Sequence, residues 1–271
     1  MSRGQLNELQ ASEIEQNMPE IGALENTVLQ LSPDFISMKY KAESPVPVAA
    51  VCLQDAVNTI AEARYALFEA WAHKMWYSSE TGKDSKFAMV FFSRFYLDNV
   101  ALRLYSAGEH LAEAIAAMLE ISSSDLEPFE KNRVSRQSIL GHYLGATHPA
   151  HPITMRVLTL AKSRAWQDAL NYRNAWVHAQ PPLVAGLGIA YERRRRWVVD
   201  DATRTAKLGI GGGDEAKYSI DEMVAFIQPA LFELVDTTQA IAKHYLSLLE
   251  KRGISMGGKG IVLKLGTSKN S

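Results

Sequence analysis

Apolar residues recur along most of this chain at steps of three and four, the spacing that gathers them on one face of an α-helix. Leu53, Val57, Ile60, Leu67, Trp71 and Met75 keep that spacing from near Ala49 to about Tyr77. Arg64 stands in the same stripe, so the pattern predicts a paired or exposed position for it. Thr81-Gly82-Lys83-Asp84 makes a turn, after which Asp84 or Ser85 can cap the next helix. That helix runs from about Lys86 to Ile121. Leu97, Ala101, Leu104, Gly108, Leu111, Ile115 and Met118 alternate steps of four and three along it, forming a seam for near-antiparallel neighbours. Gly108 costs about 1 kcal/mol of helix propensity relative to alanine, which predicts that another helix approaches closely there. Glu109 and His110 beside it read either as neighbours of a functional cleft or, preferably, as surface residues, with Glu113 on the same solvated face.

Ser122-Ser123-Ser124-Asp125 breaks the helical pattern, and Pro128 fits only the first turn of another helix. A further helix is expected from about Val134 to Leu144, and Gly141 to His151 reads as a loop holding His142, His148 and His151. No cysteine or nearby carboxylate completes a metal site there, so no metal is expected. From Pro152 one helix is predicted to reach Ala179. Pro181 then removes a backbone donor and pushes Gln180 out of the α region.

Beyond Pro182 the period changes. Residues 188–201 and 202–210 predict two strands around an Asp200-Asp201 turn, a small hairpin at about 187–210. Strand alternation sends Arg193 and Arg195 to one face and Arg194 and Arg196 to the other. Such a ribbon either grips phosphates or is kept soluble by its charge. The glycines from Gly209 to Gly213 lack the lysine and hydroxyl of a phosphate loop and read as a connector. Ser219-Ile-Asp-Glu222 is a capping box opening a last helix, buried through Met223, Ile227, Leu231, Leu234, Thr238, Ile241 and Tyr245 and ended by Lys251-Arg252-Gly253.

The expected architecture is all-α: a bundle of four to five helices over 49–252 with the hairpin inserted before the last helix. An N-terminal extension, 1–48, precedes it, with a short helix at 21–31 and an extended connector across Pro45 and Pro47. A loose tail, 253–271, follows.

Composition narrows the function classes. An apolar content of 47% in 271 residues supplies a substantial core. A net charge of −1 excludes a generally basic nucleic-acid coat while leaving room for local patches. The single cysteine, Cys52, excludes an intramolecular disulfide and zinc sites built on paired cysteines. With no apolar signal core and no uncharged span of membrane length, a soluble cytoplasmic protein without membrane attachment is expected.

The candidate chemistry lies in Asn171–Pro182, NYRNAWVHAQPP. Gln167, Asn171, Asn174 and His178 form one stripe of amides ending in an imidazole, while Leu158, Ala161, Ala165, Ala169, Tyr172 and Trp176 form an apolar stripe opposite. The polar stripe therefore faces outward, and Arg173 on its flank can swing its guanidinium over Asn174. Neutral amides beside a histidine suit a site or a partner surface better than a merely solvated face.

Arg173-Asn174-Ala-Trp-Val-His178 resembles the signature of the HEPN superfamily of helical-bundle proteins, in which an arginine and a histidine are separated by four to six residues and the first of these is commonly a polar one such as asparagine. The resemblance implies a metal-independent endoribonuclease site without cofactor, assembled where two protomers' motifs meet in a homodimer. Arg173, Asn174 and His178 would be catalytic; Asn171 of the stripe, and Arg193 and Arg195 of the hairpin, which is not part of the minimal family pattern, are the residues expected to contact the RNA. It also implies a 2′,3′-cyclic phosphate product and, if the enzyme is a toxin or phage-defence effector, a cognate antitoxin as partner. A non-catalytic nucleotide- or RNA-binding or protein-interaction module is the alternative.

Overall fold

A computed structural model describes residues 6–28, 31, 36, 39–41, 44–79, 85–131, 133, 135–178, 182–187, 197–200, 205–208, 216–257 and 260–263. Among the described residues the helices are α1 (Glu8–Gln16), α2 (Gly22–Val28), α3 (Pro45–Ser78), α4 (Lys86–Leu119), α5 (Ser123–Leu126), α6 (Arg136–Thr147), α7 (Thr154–Lys162), α8 (Arg164–His178) and α9 (Ile220–Lys251). The described residues are mostly helical, consistent with the all-α class expected from the periodicity.

The spine is α3 against α4, which pack along most of their length. Ala49, Ala56, Ala63 and Ala70 recur every seven residues on α3 and are all buried, so small side chains line the contact and let Leu53, Ile60 and Leu67 interlock with Leu97, Leu104 and Leu111 of α4. α3 starts at Pro45, four residues before the predicted start. Prolines in a first turn lose no intrahelical hydrogen bond, which is why Pro45 and Pro47 are helical here rather than part of an extended connector. Ser85 caps α4 by accepting the Ala88 N–H at 3.2 Å, and Glu120, at φ 55°, turns the chain out of it.

The segment ahead of the spine adds to the same core through Ile14, Leu24, Val28, Leu31 and Ile36. Arg64, the exception in the α3 stripe, holds that segment: its Nε donates to the Pro19 carbonyl at 2.9 Å and its Nη2 meets Glu15 Oε2 at 2.5 Å.

Helices α6, α7 and α8 are shorter and pack at glycines. α6 continues to Thr147, so Gly141, His142 and Gly145 are helical and the predicted loop shrinks to residues 148–153. A methyl group on Gly141 would lie 2.7 Å from Ala161 Cβ and 2.9 Å from the Val157 carbonyl oxygen. The glycine that reads as a loop signal is therefore the contact between α6 and α7. Gly108 serves the same purpose on α4, where a methyl group would meet the buried Trp166 ring at 2.8 Å.

The single helix predicted from Pro152 to Ala179 is two. Ser163 is extended at φ −60° and ψ 132°, and its hydroxyl accepts the Trp166 N–H at 3.3 Å, capping α8 as α7 ends. α9 opens on the predicted capping box, Ser219 with Glu222, and packs on α8, α4 and α3.

Two backbone pairs accompany the helices. β1 (Trp197–Asp200) runs antiparallel to β2 (Thr205–Leu208), Trp197 opposite Leu208. Residues 188–196 and 201–204 lie outside the described residues, Arg193 and Arg195 among them. β3 (Ile254–Gly257) pairs with β4 (Gly260–Leu263), and Ile254 is buried where a loose tail is expected from composition. No helix among the described residues is long and apolar enough to cross a membrane.

Candidate functional site

α8 carries the motif, and its apolar side decides what the motif presents. Trp166, Ala169, Leu170 and Tyr172 are buried, so Gln167, Asn171 and His178 are exposed and Asn174 is half-buried. Trp176, expected on the core side, is 36% exposed, and Trp166 takes the central buried position instead.

A polar clamp fixes the end of α8 against α4. The Tyr172 hydroxyl donates to Asp98 Oδ1, and Arg94 Nε approaches Asp98 Oδ2 at 3.5 Å. Arg94 Nη2 reaches past the motif to the Pro182 carbonyl at 3.1 Å. Burial raises the pKa of the Asp98 carboxyl, against the pull of Tyr172, Arg94 and Trp176. Burial likewise pushes the Tyr172 hydroxyl far up, and the Asp98 charge adds to that. Asp98 carries no sequence signal: it is one acid beside a hydrophobic seam, and only the packing of α4 on α8 gives it partners.

At the end of α8 the three motif residues converge on one nitrogen. Arg173 Nη1 lies 3.0 Å from Asn174 Oδ1 and 3.3 Å from His178 Nε2. Arginine has no acceptor, so a hydrogen bond at this contact uses the Nε2 lone pair of the tautomer with its hydrogen on Nδ1. The guanidinium lies 3.9 Å from the centre of the Tyr105 ring, a contact worth on the order of 1 kcal/mol. Among the described residues Arg173 has no carboxylate partner, and its Nε is buried without a hydrogen bond. A π-face and neutral acceptors hold this cation in place while leaving its charge uncompensated, which suits an anionic ligand.

The neighbouring acids have structural work. Glu109 Oε1 accepts the Arg136 N–H at 2.8 Å at the start of α6, and Arg136 pairs with Glu113. Burial raises the Glu109 pKa, with the Arg136 contacts opposing. Glu109 and Glu113 therefore anchor α6 rather than standing free on a solvated face. Burial also raises the pKa of the Tyr105 hydroxyl, Glu109 adding and Arg173 subtracting.

The three histidines near residue 148 diverge. His142 Nδ1 is 2.8 Å from the Ser138 carbonyl, His148 Nε2 is 3.5 Å from the Tyr143 hydroxyl, and the His151 ring meets His244 of α9 edge-on at 4.9 Å. No group of three or more His, Cys, Asp or Glu among the described residues is placed to hold a metal ion. Of the predicted RNA contacts, Asn171 lines a cavity of about 400 Å³, while Arg193 and Arg195 lie outside the described residues.

No family model matches the chain, and neither a curated protein nor a solved structure matches it.

Proposed function

We propose that this chain is a metal-independent endoribonuclease of the HEPN kind, with Arg173, Asn174 and His178 as its catalytic residues in a composite site at a homodimer interface. The observation that carries the reading is the convergence of Asn174 Oδ1 and His178 Nε2 on Arg173 Nη1 at an accessible helix end, with no acid among the described residues paired to the guanidinium.

Cleavage of RNA by its own ribose needs a base for the 2′-hydroxyl proton, an acid for the departing 5′-oxygen, and positive charge on the phosphoryl oxygens. The neutral form of His178, with a lone pair on Nε2, takes the first proton; protonated, the same ring donates to the leaving oxygen. Arg173 offers its guanidinium to the phosphoryl oxygens, with Asn174 setting its orientation. The 3.3 Å contact between Arg173 and His178 is long for a hydrogen bond, and a phosphate entering between them takes over the Nη1 donor and frees Nε2. One histidine performs one of the two proton transfers at a time. A second copy related by a two-fold axis supplies the other, its own His178 meeting the same phosphate. The products are a 2′,3′-cyclic phosphate and a 5′-hydroxyl.

The test is cleavage of labelled single-stranded RNA by the full chain in the presence of a strong chelator, with Arg173→Ala and His178→Ala made separately. Loss of cleavage in both variants, with the wild-type oligomeric state retained in sedimentation, supports the reading. Absence of cleavage by the wild type, or equal cleavage by all three proteins, overturns it. If the nuclease arrests growth as a toxin or phage-defence effector, expression of the wild type slows growth and both substitutions relieve it.

A further inference from the structure

The polar stripe of α8 does not stop at the motif. Going back from His178, it passes Asn174 and reaches Asn171 and Gln167, and these two amides form one wall of the cavity of about 400 Å³. Lys131, Arg133, His142 and Leu170 line the same cavity, and no carboxylate is among the described lining residues. Two permanent cations, an imidazole and two amides thus share a space large enough for a phosphate and part of a nucleoside.

Each polar group has capacity left. Arg133 Nη1 donates to the carbonyls of Phe129 and Lys131, at 2.5 and 3.5 Å, which holds the guanidinium still while its Nε is buried without a partner. His142 donates from Nδ1 to the Ser138 carbonyl, an acceptor only, so the ring is oriented and its Nε2 lone pair is left to accept from a ribose hydroxyl. Gln167 uses one amide hydrogen on the Ala161 carbonyl at 3.0 Å and keeps the other. Among the described residues Lys131 makes no ion pair and the Asn171 amide no hydrogen bond. Preoriented donors with spare hydrogens and uncompensated positive charge suit a phosphate group.

We propose that this cavity seats a phosphate of the single-stranded RNA whose cleaved linkage lies at Arg173 and His178, an assignment that rests on the nuclease reading. Asn171 and His178 are separated by about 10 Å along the helix axis, so a strand lying along the stripe engages both places at once. The cavity then sets the direction and register of the RNA, and the motif performs the chemistry.

The experiment measures binding of a fluorescein-labelled ten-nucleotide oligouridylate to the full chain by anisotropy over a range of salt concentrations, in a His178→Ala background that does not cleave. Lys131→Glu and Asn171→Asp alter exposed side chains of the cavity, and Lys243→Glu makes the same kind of charge change on the exposed face of α9. Expected is a loss of affinity of about tenfold for each cavity variant, with the salt slope reduced by about 0.7 for Lys131→Glu and both quantities unchanged for Lys243→Glu. Equal effects of all three substitutions, or none from the cavity pair, overturn the subsite. The two proposals fail separately. RNA cleavage by the wild type together with wild-type binding by the cavity variants removes the subsite and leaves the nuclease. Selective loss of binding in those variants, with no cleavage by the wild type, leaves an RNA site and removes the nuclease.

Discussion

Helices α3 and α4 on one side, and α6 to α8 on the other, show two ways of making a helical contact. The long pair is regular: alanines every seven residues on α3 and a leucine-rich seam on α4 repeat one contact many times, and hydrophobic burial carries the stability. The short trio has few turns over which to repeat anything. It depends on single close approaches, at Gly141 against Ala161 and at the Trp166 ring against Gly108, and on the Asp98 clamp. A region held by a few fixed points keeps one face of α8 free of packing duties, and the proposed site occupies that face. In the long pair both inward faces are committed to the core.

The largest expected contrast is between activity and stability at the end of α8. His178→Ala should lower RNA cleavage by at least about 100-fold, and Arg173→Ala by a similar factor. His178 is exposed, so its substitution should change unfolding free energy by no more than about 0.5 kcal/mol. A His178 variant that loses cleavage by unfolding would erase the distinction between the free face and the core. Leu104→Ala in the spine should do the opposite, costing about 3 kcal/mol in urea denaturation because a fully buried leucine leaves a cavity.

The glycine contacts provide a sharper comparison within the trio. Gly141→Ala sets a methyl group against a backbone carbonyl and another Cβ, neither of which can turn aside, so a net loss of about 1 kcal/mol is expected despite the gain in helix propensity. At Gly145 the nearest atom is the Cδ2 end of Leu158, 2.9 Å away, which can rotate. Gly145→Ala should be neutral or stabilising, by up to about 1 kcal/mol. Equal effects at both positions, measured by thermal melting, would mean that close approach is not what holds α6 on α7.

The smallest effect is a pH slope. Burial holds the Asp98 pKa above the ordinary aspartate range, so the folded chain binds that proton more tightly than the unfolded one. This contribution is full below the ordinary aspartate range and is lost as pH rises through the raised value. Asp98→Asn cannot titrate and should lack that part of the decline when urea stability is compared at successive pH values through the window. A variant with the wild-type slope would show that the clamp does not carry the titration.

Repetition decided what the sequence revealed. The α3 and α4 stripes, the Ser85 cap and the Ser219–Glu222 capping box follow from spacing and from local hydrogen bonding, and the structure has them. Gly108 also predicted a close approach, because a glycine in a long apolar seam has no local purpose. The division at Ser163 was hidden: serine is tolerated inside helices, and nothing nearby in sequence breaks the apolar period. Gly141 and Gly145 were misread as loop residues because glycine marks turns and helix contacts alike, and only the partner helix tells them apart.

At the candidate site the residues Arg173, Asn174 and His178 were visible as a spacing, together with the outward direction of their stripe. That they meet at one nitrogen over Tyr105, that Asp98 and Arg94 clamp the helix beneath them, and that Lys131, Arg133 and His142 line one cavity with Asn171 were decided by tertiary packing. The sequence by itself determined the long helices of the spine, the last helix and their buried faces, since those depend on neighbours within a turn or two repeated many times. Which distant side chains share a cavity depends on the angles and offsets at which the helices cross, and those are set by contacts between residues tens of positions apart.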